Sequence, residues 1–292
     1  MRKNSRNREL YSAFFPLLAL ISAQQLVALA VNLADNIMLG AYSEQALSGA
    51  ALVNQVQFML QQVVAGAGAG VVVLGAQHWG RGEVLPIRRV VSIGLKFSAL
   101  VGVLFFAVAS AVPERALGLL TDDASAIAEG VEYLRIMRWT YIIFSISNVL
   151  VYSLQSVQTA AVGTVMSLCT IAINVTLNYC LIFGHFGAPE LGIRGAAIAT
   201  LTSRVVELAI ILVYILAVDK KLKMRARDLL SLDMSYIRAF ARVSLPVVLA
   251  GAQWGVAQAA QTAILGHIDT EALAANSIAS IIFQLFAIIG MS

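Results

Sequence analysis

Apolar runs long enough to cross a bilayer recur along this chain, at residues 11–39, 46–75, 91–112, 138–158, 162–184, 192–217, 243–265 and 272–292. About 20 such residues carry a helix through the hydrocarbon core, where a helix is favoured because it satisfies its own backbone polar groups. Of all residues 59% are hydrophobic and 12% charged, against about 25% charged in soluble domains. That balance cannot be folded around one aqueous core. The expectation is an all-α integral membrane protein.

The loops test the eight-span assignment, because cytoplasmic loops carry the excess of Lys and Arg. The leader holds Arg2, Lys3, Arg6 and Arg8; the second-to-third loop holds Arg81, Arg88 and Arg89. Lys220, Lys221, Lys223, Arg225, Arg227, Arg238 and Arg242 lie between spans six and seven. On the opposite side lie only Arg115, Arg135, Arg138 and Arg194, a split of 14 to 4, with Lys96 and Arg204 inside spans. Glu44, Glu114, Asp122, Asp123, Glu129, Glu132, Glu190, Asp269 and Glu271 all fall on the base-poor side. The N-terminus therefore reads as cytoplasmic and the protein as a multi-pass component of the plasma (inner) membrane. Positive charge confined to loops gives no nucleic-acid surface. Cys169 and Cys180 stand on one span, roughly 16 Å apart at helical rise, too far for a disulfide.

Phe15-Pro16-Leu17-Leu18 opens span one, and Leu245-Pro246-Val247-Val248 opens span seven. Ile37-Met38-Leu39-Gly40-Ala41-Tyr42-Ser43-Glu44-Gln45-Ala46-Leu47 aligns in turn with Ala263-Ile264-Leu265-Gly266-His267-Ile268-Asp269-Thr270-Glu271-Ala272-Leu273. Six spans separate the copies, so both start on one side: a parallel repeat about an axis along the membrane normal. This divides the chain into a six-helix N-terminal lobe (1–217), a basic inter-lobe linker (218–242), and the first two helices of a second lobe (243–292). Met291-Ser292 closes the chain within an apolar run, which reads as a truncated second lobe.

Asp35 is the outstanding polar group. An ionised Asp within a span costs roughly 2.5–3.5 kcal/mol on insertion scales, and such residues mark ion or substrate pathways. Asn174 and Asn178 on span five, and Thr200 on span six, fall at comparable depth in the outer half. One carboxylate, two amides and a hydroxyl suit a hard cation or a protonatable Asp. Polar strips suggest a water-accessible substrate cavity: Asn54, Gln57 and Gln61 on span two; Tyr141, Ser145, Asn148, Tyr152 and Gln155 on span four; Gln253, Gln258 and Gln261 on span seven; and Gln24 on span one. For any single one of these, an interhelical hydrogen bond is the plainer reading. Gly66, Gly68, Gly70 and Gly75 read as close-packing positions. Arg204 and Glu207, at i and i+3, read as a structural ion pair, and Lys96 as a side chain that snorkels to the cytoplasmic surface.

Four stretches carry a resemblance: Asp35-Asn36-Ile37-Met38-Leu39-Gly40 with Ala46-Leu47; Gln77-His78-Trp79-Gly80-Arg81-Gly82-Glu83; Asn174-Val175-Thr176-Leu177-Asn178-Tyr179-Cys180-Leu181-Ile182-Phe183-Gly184; and Leu191-Gly192-Ile193-Arg194-Gly195-Ala196-Ala197-Ile198-Ala199-Thr200. In this order and spacing the chain resembles the multidrug and toxic compound extrusion family of secondary transporters. The resemblance implies two six-helix lobes around a central cleft, and efflux of amphipathic, often cationic organic compounds in exchange for H⁺ or Na⁺. It places Asp35 as the first-helix coupling acid, with Asn174 and Thr200 as partners. Asn178 stands where some members carry an acid, and Gln253, Gln258 and Gln261 stand on the helix where another branch carries a Glu, which favours a first-lobe site.

The expectation is thus a monomeric antiporter in the lipid bilayer, not an enzyme, with a small organic substrate and no cofactor or metal beyond the transported H⁺ or Na⁺, the latter held at Asp35. The rivals are a lipid-linked-precursor flippase of the same superfamily, which would need more cavity cations, and a non-transporting truncated membrane protein. The charge split makes a direct prediction. In a variant lacking the native cysteines, a cysteine at Ser43 or Ala124 should react with an impermeant thiol reagent added outside intact cells. One at Ser231 should not, and its labelling from outside would refute the topology.

Overall fold

Six helices long and apolar enough to cross a membrane run through the described residues. The structure is a computed structural model; it describes residues 33–230 and 233–268 with scattered positions from 15 to 30, and only the backbone of residues 160, 230, 262 and 265–268. The elements are α1 (33–42), α2 (Glu44–Gly80), α3 (Val84–Ala111), the short α4 (Pro113–Gly118), α5 (Ala124–Ser156), α6 (Ala160–Phe183), α7 (Ile193–Val213), α8 (Ala226–Leu230) and α9 (Ile237–Ile268). Among the described residues there is no strand. The eighth expected span lies outside the described residues, as do about half of the first and Gln24.

Three boundaries differ from the sequence reading. α5 starts at Ala124 rather than 138, because Asp123 caps it. The Asp123 carboxylate accepts from the backbone N–H of Ser125 at 2.8 Å and of Ala126 at 3.3 Å, and from the Ser125 hydroxyl at 2.7 Å. Such capping satisfies otherwise orphaned first-turn donors, and these bonds, the Ser125 hydroxyl's above all, hold this carboxyl below the usual carboxylate range. α2 runs 37 residues, about 55 Å at helical rise, and so projects beyond a core about 30 Å thick. Span seven begins at Ile237, so Arg238 and Arg242 sit on the first turns of α9 rather than in a loose linker.

α2 and α5 are the central helices, each packed against at least three others. α2 packs on α5, α9 and α3, while α5 also packs on α3 and α7, and α6 pairs with α7. Without a hydrophobic drive between helices in lipid, close backbone approach has to supply the packing. The α2 glycines do this. A Cβ at Gly66 would stand 2.6 Å from the Val248 backbone of α9, and one at Gly75 would stand 2.6 Å from the Ser156 hydroxyl of α5. Gly68 lies against the Tyr152 ring and Gly70 against Ser244.

The inter-lobe segment is folded onto one end of the bundle, here termed the basic end. Asp219 caps it, accepting from the N–H groups of Leu222 (2.7 Å) and Lys223 (3.1 Å). The Lys221 ammonium donates to the carbonyls of Val157 (2.7 Å) and Gln158 (3.1 Å) at the C-terminal end of α5, where the helix dipole favours a cation. It also lies 5.8 Å from the centre of the Trp79 ring. Arg88 of α3 donates to the Leu222 carbonyl at 2.8 Å and to Asp228 at 3.3 Å.

Gly66→Leu should force α2 and α9 apart. Overpacking of this kind costs about 1–3 kcal/mol, so the thermal midpoint of the purified protein should fall, while Gly80→Ala, which meets nothing within 4 Å, should leave it unchanged.

Candidate functional site

The position of α1 is set at its end. Gly192 has φ +54° and ψ −127°, a conformation open essentially to glycine alone, and the Tyr42 ring fills the space a Cβ would need. Tyr42 also meets the Phe183 ring edge-on at 6.4 Å. Asp35 lies two turns back on the same face of α1, so this contact sets where the carboxylate arrives. On the other side, Gly195 lets the start of α7 approach the Leu181 carbonyl of α6, and the Leu191 N–H donates to that carbonyl at 2.9 Å. Close approach of α6 and α7 brings Asn174, Asn178 and Thr200 to one level.

There they form a chain of hydrogen bonds. The Asn178 amide donates to an Asp35 carboxylate oxygen at 2.5 Å and to the Asn174 carbonyl oxygen at 3.2 Å; the Asn174 amide donates to the Thr200 hydroxyl at 3.3 Å. Asn178 and Asn174 are buried, at 0% and 1% exposure. With both amide hydrogens of Asn178 engaged, its side-chain oxygen remains buried without a partner among the described residues. A buried acceptor in that state costs about 1–3 kcal/mol unless something donates to it or coordinates it. The site therefore offers a carboxylate and a neighbouring open amide oxygen, a donor set for a cation or proton.

Tyr133 completes the surround. It is buried and lies close to both Thr200 and Asp35. Sequence reasoning missed it by starting the span at 138; the Asp123 and Ser125 start signal would have carried the helix back far enough to include it. Deeper in α7, Arg204 donates to Glu207 at 2.6 Å, and the Ser147 hydroxyl donates to the other Glu207 oxygen at 3.2 Å. The guanidinium lies over the Phe144 ring at 5.2 Å and near enough to Asp35 to attract it. The pair is thus built into the α5–α7 seam beside the Asp35 site.

The structure places the members of the polar strips differently. Tyr141 is fully buried and meets the Phe105 ring of α3 edge-on, while Ser145 bonds to the Tyr141 carbonyl at 2.7 Å and fills the space beside Gly102. Tyr152 covers Gly68 of α2. These members of the strip lie in the seams that α5 makes with α2 and α3. Gln57 and Gln61 share the helical face of Gly68 and Gly75, which meets α5. Gln57 is buried, Asn54 and Gln61 half-buried; one side-chain oxygen of Gln57 and one of Asn148 lack a partner among the described residues. On α9, Gln253 and Gln261 are exposed and Gln258 is half-buried.

A family model described as MatE matches residues 21–180, more than half of the chain. The chain belongs to the MATE family. Members of this family are transporters rather than enzymes. Among curated relatives, a probable multidrug resistance protein NorM of Rhizobium meliloti is 36% identical over 192 residues, 65% of this chain and 41% of that protein. Its namesake in Thermotoga maritima is 30% identical over 219 residues, 75% of this chain and 47% of the relative. Among solved structures, a MOP superfamily transporter from Pyrococcus furiosus superposes with a TM-score of 0.83 at 21% identity, covering 95% of this chain and 61% of the other. A MATE structure in a bent conformation gives 0.81 with the same coverage. The chain thus has the MATE fold and spans about half the length of the curated relatives it matches. It is a multi-pass membrane protein.

The Arg204–Glu207 geometry predicts a double-mutant result. Removing one partner leaves a lone buried charge, typically worth 3–5 kcal/mol of destabilisation. Arg204→Met and Glu207→Gln should each lower membrane expression, and the double variant should recover part of it. A double variant no better than the worse single one would show that the two charges act separately.

Proposed function

We propose that this MATE chain forms the coupling half of an antiporter that exports amphipathic, often cationic organic compounds in exchange for H⁺ or Na⁺, with Asp35 as the coupling group. One observation carries the reading: a carboxylate within the membrane, held by a buried amide whose own oxygen is left open beside it. The multidrug-resistance names of the relatives support the drug-export part. The 14-to-4 division of basic residues supports a cytoplasmic placement of the basic end in the plasma membrane. On this reading residues 1–217 form one lobe, 218–242 tie it to the next, and 243–292 begin the second lobe of a monomeric transporter.

Alternating access needs a group whose occupancy shifts the balance between outward-facing and inward-facing states. Asp35 sits near the end of α1 opposite the basic end, so it fills from the exterior. Loading neutralises a charge that would otherwise resist closure in a dry seam, and so favours the inward-facing state. Asn178 orients the carboxylate; Asn174 and Thr200 fix Asn178 in turn.

Asp35→Asn in the full-length protein should therefore fold and retain substrate binding, yet lose gradient-driven efflux. Asn174→Ala and Thr200→Ala each remove one neutral group and should weaken coupling less. Efflux of a fluorescent organic cation from vesicles under an imposed H⁺ or Na⁺ gradient measures this. Parental, gradient-responsive transport by Asp35→Asn would refute Asp35 as the coupling site.

A further inference from the structure

A second site lies away from Asp35, at the basic end. Between α3 and α9 runs a half-open groove of about 310 Å³, within the size range of small-molecule sites. Its walls are apolar, formed by residues such as Ile93, Phe97 and Leu100 of α3 and Phe240, Leu245 and Val248 of α9. From Ile93 to Leu100 the wall extends about 10 Å along the membrane normal, comparable with the upper part of one leaflet. Leu100 and Leu245, at its open edge, are 58% and 52% exposed.

Its charge is all of one sign within the walls. Lys96 lines the groove, and its ammonium turns back one turn toward the basic end, donating to the Ser92 hydroxyl at 3.2 Å. Arg89 lies one turn beyond Ile93 on the same face of α3, 3.9 Å from Asp233. Arg238 is exposed on the first turns of α9, one turn from the groove residue Ala241. Among the described residues, Lys96, Arg89 and Arg238 thus gather at the mouth, with Asp233 beside Arg89, over an apolar slot. This arrangement disfavours a cationic amphiphile, the class of substrate proposed for the transporter. It fits the reverse polarity, an anionic head above an apolar tail. The basic end is also the one the charge split assigns to the cytoplasm, whose leaflet carries the anionic lipids.

We propose that the α3–α9 groove binds an anionic phospholipid of the cytoplasmic leaflet, its acyl chain between Phe97 and Val248 and its phosphate held by Lys96, Arg89 and Arg238. Such a lipid would join α9 to α3 along their outer faces, at the junction of the inter-lobe segment. The site is independent of Asp35 and of the direction of transport.

The test titrates the full-length protein in detergent with short-chain phosphatidylglycerol, phosphatidylcholine and inorganic phosphate, following the thermal midpoint, which rises when a ligand binds the folded state. Phosphatidylglycerol should stabilise the parent and phosphatidylcholine much less. Lys96→Gln and Arg238→Gln should each weaken the apparent phosphatidylglycerol affinity about five-fold, from roughly 1 kcal/mol per basic residue at the membrane surface. Lys96→Arg should retain it, and Ala241→Trp, which fills the slot without altering charge, should abolish it. Midpoints measured without lipid report whether each variant is folded. Equal stabilisation by the two lipids, full stabilisation by phosphate alone, or unchanged affinity in Lys96→Gln and Ala241→Trp would each overturn the proposal.

Discussion

A carboxylate packed among the helices of a membrane protein has to be solvated by the protein, and much of the bundle opposite the basic end is arranged around that demand. Water would supply several hydrogen bonds to Asp35; here Asn178 of α6 supplies a short one. A hydrogen bond to a charged group contributes about 1.5–3 kcal/mol, the same order as the insertion cost of the Asp itself. The balance holds only while α1, α6 and α7 keep their relative heights. Glycine makes that possible at two places: Gly192 admits the Tyr42 ring, and Gly195 admits the α6 backbone. A chain with larger residues there would hold the same polar groups at different levels, and the Asp35–Asn178–Asn174–Thr200 chain could not close.

The centre of the bundle meets the same demand differently. Arg204 and Glu207 neutralise each other within one helix, and Ser147 takes up the remaining carboxylate oxygen from α5. A pair closed in this way needs no ligand, whereas the open oxygen of Asn178 leaves its site incomplete. That difference separates a structural charge from a candidate coupling charge on adjacent helices.

At the basic end the constraint is mechanical. Lys221 binds the end of α5, Arg88 binds the inter-lobe segment to α3, and Ser92 donates to the Leu229 carbonyl at 3.1 Å. The segment that the charge pattern shows as a basic loop is therefore a strap laid over three helix ends. It joins α9 to α3 and α5, beside the groove that Lys96 lines.

Helix type was legible in the sequence because lipid admits few alternatives: long apolar runs in a bilayer become helices whatever their neighbours are. That Asp35 would need a partner was legible for the same reason, and Asn178 is that partner. The packing role of the α2 glycines also followed from residue size alone. What the tertiary structure decided was which faces meet. The strip Tyr141, Ser145, Tyr152 is polar at helical spacing, yet α5 is central, so it closes seams with α2 and α3. Tyr133 entered the Asp35 site only once the Asp123 cap had extended α5. The partnership of Asp35 with Asn178, 143 positions apart, depends on helix heights set by side-chain contacts between distant segments. Periodicity within one helix carries no information about those heights.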